Sequence, residues 1–171
     1  MNETLRQVFY TLVGLQFLYV RLRLQHLVEK LPSSNIPDLW FGYSTKDLNN
    51  IFEFWGPDGR KAYASVATYD MIAFIPSYSI ALGSLFHYFV RDWSLTLWWI
   101  PLIAWCDYIE TFILMINCSA YPHADVHHMD TLVLISSYAN MAKWVLLGGM
   151  FFVIVFTVIQ NRKTENKDKK D

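Results

Sequence analysis

The sequence predicts an all-α polytopic membrane protein, a four-transmembrane-helix bundle with short amphipathic helices in its first lumenal loop. Long apolar runs alternate with short charged stretches, a pattern that a core surrounded by water does not require. Hydrophobic residues make up 54% of the 171 positions and aromatic residues 17%, richer than a soluble domain of this size needs. Basic residues are also uneven, with five in the tail from 162 to 171 and none in the loop from 118 to 130.

The first span is expected over 5–24. Its uninterrupted apolar part, Val8 to Val20, is only 13 residues, short of the roughly 17 to 25 that a spanning helix needs. It reaches that length only if Arg6, Arg21 and Arg23 snorkel into the headgroups. An interfacial amphipathic helix is the other reading of this segment.

Residues 25–60 form a lumenal amphipathic segment resting on the membrane. Leu24, Leu27, Val28 and Leu31 fall on one helical face. Pro32 to Pro37 breaks that helix through lost amide donors and turn-forming side chains. Ser44 and Asp47 then resemble a capping box ahead of the stripe Leu48, Ile51, Phe52, Trp55, and Gly56-Pro57-Asp58-Gly59 ends the second short helix in a turn.

The remaining spans are expected over 62–89, 95–117 and 131–159. Arg91-Asp92 closes the second, and Trp93, Trp98 and Trp99 open the third where interfacial indoles are favoured. A charged tail, 162–171, follows the fourth. Its basic residues place it in the cytosol, and four spans then put the amino terminus there too. The first loop is lumenal despite Lys30, Lys46 and Arg60. A three-span chain with an external amino terminus fits those charges equally well.

Lys167 and Lys169 sit in an ending that resembles the Lys-x-Lys-x-x retrieval signal of endoplasmic reticulum membrane proteins, and a solvated polar tail is the plain alternative. The triplets beginning at Asn2 and Asn117 resemble glycosylation acceptors but fall in the cytosol and too close to the bilayer. Cys106 and Cys118 are about 18 Å apart along one helix and cannot bridge each other. A net charge of -1 argues against a nucleic-acid surface.

Function, if it resides in side chains, belongs to a polar cluster inside the spans. Asp70, Asp107, Glu110 and Lys143 each cost roughly 2.5 to 3.5 kcal/mol at the bilayer centre, so they must face inward. Asp107 and Glu110 share a helix face, as do Asn140 and Lys143, while Arg60, Tyr63, Ala67, Asp70 and Ser77 make a stripe on the second span. Counting depth makes Asp107 and Lys143 the expected ion pair, with Asp70, Glu110 and Asn140 as a shelf one turn above. Three carboxylates against one lysine cannot all be ionised in low dielectric, so a proton, Arg60, a ligand or a cation must match the surplus. An ion pair that only locks the helices together is the competing reading.

His123, Asp125, His127 and His128 could hold a transition metal by spacing, but a polar loop explains them more simply, and neither a metal site nor a cofactor is expected. Trp105, Trp144, Tyr108 and Tyr138 suit packing or interface anchoring, and would also suit a flat or cationic ligand. The expected partners are membrane lipids and a small amphiphilic ligand. Three functions follow in order: lipid or sterol-like binding in an intramembrane pocket, a proton- or ion-coupled carrier, and a non-catalytic assembly subunit. Whether the chain is an enzyme stays open.

The pattern Gly59-Arg60 with Tyr63, then Asp70, Pro76 and Tyr78, then Asp107 and Glu110, then Lys143-Trp144 resembles an uncharacterised family of small four-span membrane proteins. Ile75 and Thr111 depart from its pattern. The likeness covers about residues 42–150 and implies a fold and candidate residues, not an activity. In architecture the chain is also similar to the sigma-2 receptor and sterol isomerase superfamily. That likeness implies a sterol or cationic amphiphile held between helices, with carboxylates gripping it or donating a proton.

Overall fold

The computed structural model describes residues 3–122 and 126–168, with side chains described over 3–122 and 129–162. Every regular element among them is helical: α1 (Glu3–Val28), a 3₁₀ turn (Pro37–Leu39), α2 (Thr45–Tyr69), a π-helical segment (Asp70–Phe74), α3 (Ile75–Val90), α4 (Trp93–Ala120) and α5 (Val126–Asp168). Three stretches are long and apolar enough to cross a membrane: the composite Thr45–Val90, Trp93–Ala120 and Met129–Arg162. Their outer faces leave Leu97, Trp98 and Phe152 65%, 81% and 71% exposed, apolar area that suits hydrocarbon and not water.

The helix α1, with its three flanking arginines, is not among those three stretches. At 26 residues it is about 39 Å long and runs antiparallel to α3. Tyr10 meets Tyr88 and Phe17 meets Phe74, with ring centroids 5.5 and 6.0 Å apart. Between those levels the Ser77 hydroxyl donates to Gln16 at 3.1 Å. The apolar stripe from Leu24 to Val28 is the last turn of α1, so the amphipathic segment that covers this end of the bundle, the lid, begins only after it, over 29–56. Nothing after Val20 breaks the helical pattern until Pro32.

The capping box forms as expected, with Ser44 and Asp47 satisfying each other's backbone amides at the start of α2. The turn expected over Gly56–Gly59 is instead a single-residue kink. Gly56 takes φ 61°, ψ -177° and the chain resumes as helix at once. Pro57 then occupies a first turn, where its missing amide has no helical partner to lose. The short amphipathic helix and the apolar helix expected from 62 are therefore joined at a bend within α2, with no separate helix start at 62.

A second irregularity follows from Pro76. In the π-helical segment the Ile75 amide donates to the Asp70 carbonyl, five residues back. The next amide in that pattern would come from Pro76, which has none, so the Met71 carbonyl is released. The Tyr108 hydroxyl from α4 donates to it at 2.9 Å.

Arg91, in the left-handed region at φ 57°, ends α3. The Asp92 carboxylate accepts from the amides of Ser94 and Leu95 at 2.8 and 3.1 Å to start α4. This short reversal makes α3 and α4 antiparallel neighbours. Contacts between α4 and α5 pair Trp99 with Leu146, Asp107 with Lys143 and Glu110 with Ser136, a falling register that makes these helices antiparallel too. The start of α1, the α3–α4 turn and the far part of α5 thus share one end of the bundle; the lid caps the other.

Two apolar cores divide the interior. One, at the lid end, includes Leu48, Phe52, Trp55, Leu114 and Val133; the other includes Ile75, Phe86, Ile100, Ile103 and Met150. On α4 and α5, and across the π-helical segment, the polar residues fall between the two.

Candidate functional site

Lys143 is the hub of that polar layer. Its ammonium donates to Asp107 Oδ1 at 2.8 Å and Glu110 Oε2 at 2.6 Å. Glu110 is 0% exposed, and Asp107 and Lys143 are each 6% exposed. The expectation of a lone Asp107 pair below a Glu110 shelf is revised, since both acids share the ammonium. Side chains lean toward the amino terminus of their own helix. On α5 that direction points up to the level of Glu110, and the four-carbon stem spans the turn.

The lid supplies a fourth acid that the sequence reading omits. The 3₁₀ turn carries Asp38 into the bundle, where the Tyr63 hydroxyl donates to its carboxylate at 2.9 Å. Lys143 also reaches the Asp38 carbonyl at 3.4 Å. The turn is held from α5: Asn140 Nδ2 donates to the Trp40 carbonyl at 2.8 Å, and the Tyr43 amide donates to Ser137 Oγ at 2.9 Å. The Tyr43 hydroxyl bonds that of Ser136. Residues 36–43 therefore pack into the bundle through Asp38 and Tyr43 while Leu39 and Phe41 stay exposed, and Asn140 serves the lid backbone. Burial pushes the Asp38 carboxyl above the usual carboxylate range, against the opposing pull of the Lys143 ammonium. The signal for this was local: an acid between Ile36, Pro37 and the pair Leu39-Trp40.

Asp70 sits where the π-helical segment begins, and Thr111 donates to its carboxylate at 3.2 Å. Tyr78 donates to Asp107 Oδ2 at 2.7 Å, so Asp107 is gripped from two helices at once. Arg60, expected to match the surplus acid, lies elsewhere. Its guanidinium donates to the Phe52 carbonyl at 2.9 Å and lies 5.0 Å over the Tyr121 ring. The long stripe expected from Arg60 to Ser77 therefore divides. Tyr63 and Asp70 enter the cluster, Arg60 secures the kink, and Ser77 turns to α1. The π-helical segment causes part of this, because it shifts every later side chain around the helix axis.

Beside the cluster lies a cavity of about 280 Å³. Asp38, Asp70, Asp107 and Lys143 supply its charged wall, while its apolar lining includes Leu24, Val28, Phe74, Leu82 and Leu147. Leu39 and Trp144 line it too, and are 63% and 36% exposed, so the cavity reaches the bundle's outer face through apolar side chains. Glu110 Oε1 is buried with no hydrogen-bond partner among the described residues. Four carboxyl groups thus face a single ammonium, an imbalance that protons or a basic ligand must correct.

Asn117 is 0% exposed, which closes that triplet to modification. Among the described residues no three His, Cys, Asp or Glu side chains gather into a metal-holding group. His123, Asp125 and the side chains of His127 and His128 lie outside the described residues, as do the side chains of Lys167 and Lys169.

Fold and site together define a class: an all-helical bundle with three stretches fit to cross a membrane, built around a buried acid-lysine cluster beside an apolar cavity. Comparison of the chain with protein-family models, curated proteins and solved structures found no match.

Proposed function

We propose that this is a multi-pass membrane protein of the endoplasmic reticulum that holds a lipid or sterol-like amphiphile with a basic or hydrogen-bond-donating head. One observation carries the reading: the cavity has an acidic wall and an otherwise apolar lining that reaches the outer face of the bundle. A head at Asp38, Asp70 and Asp107 supplies the missing positive charge or donors, and the hydrocarbon body lies along Leu24, Leu82 and Leu147. Such a division of polar and apolar groups is the usual layout of small-ligand sites. Tyr63, Asp70, Tyr78, Asp107 and Lys143 all line this one cavity, which gathers their polar groups around a single ligand-sized space.

Four spans suit the packing of α1, which lies along α3 while Leu12, Leu15 and Leu22 on its outer side are more than half exposed. The basic tail then lies in the cytosol, where a Lys167/Lys169 signal works.

The test is native mass spectrometry with lipid extraction on the purified full chain, comparing wild type with Asp70→Asn and Asp107→Asn. The wild type should retain an amphiphile that the variants lose by about tenfold or more, since a hydrogen bond to a charged group is worth about 1.5–3 kcal/mol. The same bound species in the same amount in all three proteins would sink the proposal.

A further inference from the structure

A second cavity, of about 930 Å³, opens at the opposite end of the bundle from the lid, between α1, α3 and α4. Its rim carries Arg6 from the first turns of α1 and Arg91 from the α3–α4 reversal. Its deeper walls are apolar, including Ile80, Leu97 and Ile100.

The local chemistry leaves the positive charge available. Asp92, the acid beside Arg91, is committed to the amides that start α4. Among the described residues Arg91 has no side-chain hydrogen bond or ion pair, and Arg6 has only a loose 3.6 Å contact with the exposed Glu3. His87 also lines the groove, stacked on Trp93 with centroids 3.8 Å apart, and its Nδ1 is buried without a partner among the described residues.

We propose that this groove binds an anionic phospholipid of the leaflet at that end of the bundle. Arg6 and Arg91 hold the phosphate from two sides. His87 offers a further hydrogen-bonding atom, and an acyl chain descends between α1 and α4. The apolar depth selects a lipid over a free phosphate ion. The guanidinium of Arg91, unpaired among the described residues, with that of Arg6, which has only its exposed contact with Glu3, selects an anionic headgroup over a zwitterionic one. The site is separate from the acid-lined cavity and does not depend on what that cavity holds.

The test uses the purified full chain in mixed micelles of phosphatidylserine and phosphatidylcholine, with retained lipids counted by native mass spectrometry. Wild type should keep phosphatidylserine preferentially. Arg6→Gln and Arg91→Asn should each lower that retention roughly fivefold; asparagine is chosen because it tolerates the left-handed backbone at 91. Arg162→Gln removes an exposed arginine at the same end of the bundle but outside the groove, and should leave retention unchanged. Asp70→Asn should leave it unchanged as well, which separates this site from the one proposed above. Equal retention of the two lipids by wild type would overturn the proposal. So would an Arg162→Gln loss matching that of Arg91→Asn, which means diffuse surface charge, or displacement of the lipid by glycerol phosphate.

Discussion

Replacing Lys143 with methionine tests whether the buried cluster holds the bundle together. The substitution keeps the length of the side chain and removes the one ammonium that two buried carboxylates share at 2.8 and 2.6 Å. At an effective dielectric of about 20, each contact represents about 6 kcal/mol of direct attraction, most of it offset by the desolvation of the partners. Removing one side of such a pair leaves the desolvation without the attraction, and costs about 3–5 kcal/mol. For a chain of this size that corresponds to a fall of roughly 6–20 °C in Tm. Thermal unfolding in detergent, followed by tryptophan fluorescence, reads the change directly. Adding Asp107→Asn and Glu110→Gln to Lys143→Met should recover much of the loss, because the two carboxylates that shared the ammonium are then neutral. A single variant that melts within about 2 °C of wild type would refute the reasoning, as would a triple variant no better than the single.

Asp38→Asn keeps the shape of the acid that the lid inserts. With its folded-state pKa raised, wild-type Asp38 favours the fold at acid pH and loses that contribution as pH rises through the folded value. The asparagine has no such loss, so the Tm of the variant relative to wild type should climb as pH rises above about 4, the ordinary aspartate pKa; a flat difference contradicts the assignment. Tyr108→Phe orphans the Met71 carbonyl that Pro76 releases, and should cost about 1–3 kcal/mol in the same unfolding assay. Tyr138→Phe, at a tyrosine 62% exposed, should cost almost nothing. A methyl group on Gly59 would come within 2.8 Å of Trp55 Cβ and 2.9 Å of Pro32, so Gly59→Ala should destabilise by about 1–3 kcal/mol. Gly14→Ala meets nothing within 4 Å and should stabilise by about 0.4–1 kcal/mol; the opposite order would contradict the packing described.

Periodicity and end signals locate most of the elements because they are local. The Ser44–Asp47 cap, the stripe from Leu48 to Trp55 and the reversal at Arg91-Asp92 appear where the residues place them. Local rules overstate the breaks, however. Gly56-Pro57 reads as a terminator, yet one glycine with positive φ absorbs the whole change of direction. They also miss the π-helical segment, since Pro76 announces a disturbance but not whether the helix will kink, end or widen.

The cost of burying charge in an apolar run obliged Asp70, Asp107, Glu110 and Lys143 to turn inward, so the sequence by itself determined that a polar layer exists and which helices build it. It could not determine who pairs with whom. That depends on the lean of Lys143 toward Glu110, on the rotation introduced after Asp70, and on a lid whose route is set by backbone contacts to Asn140 and Ser137 roughly a hundred residues away in sequence. Only the tertiary structure brought Asp38 to the cluster and took Arg60 out of it. The physical reason is one of range: hydrophobic pattern and helix caps are written within a turn or two of the chain, whereas the partners of a buried charge are chosen by whichever distant segment the packing delivers to it.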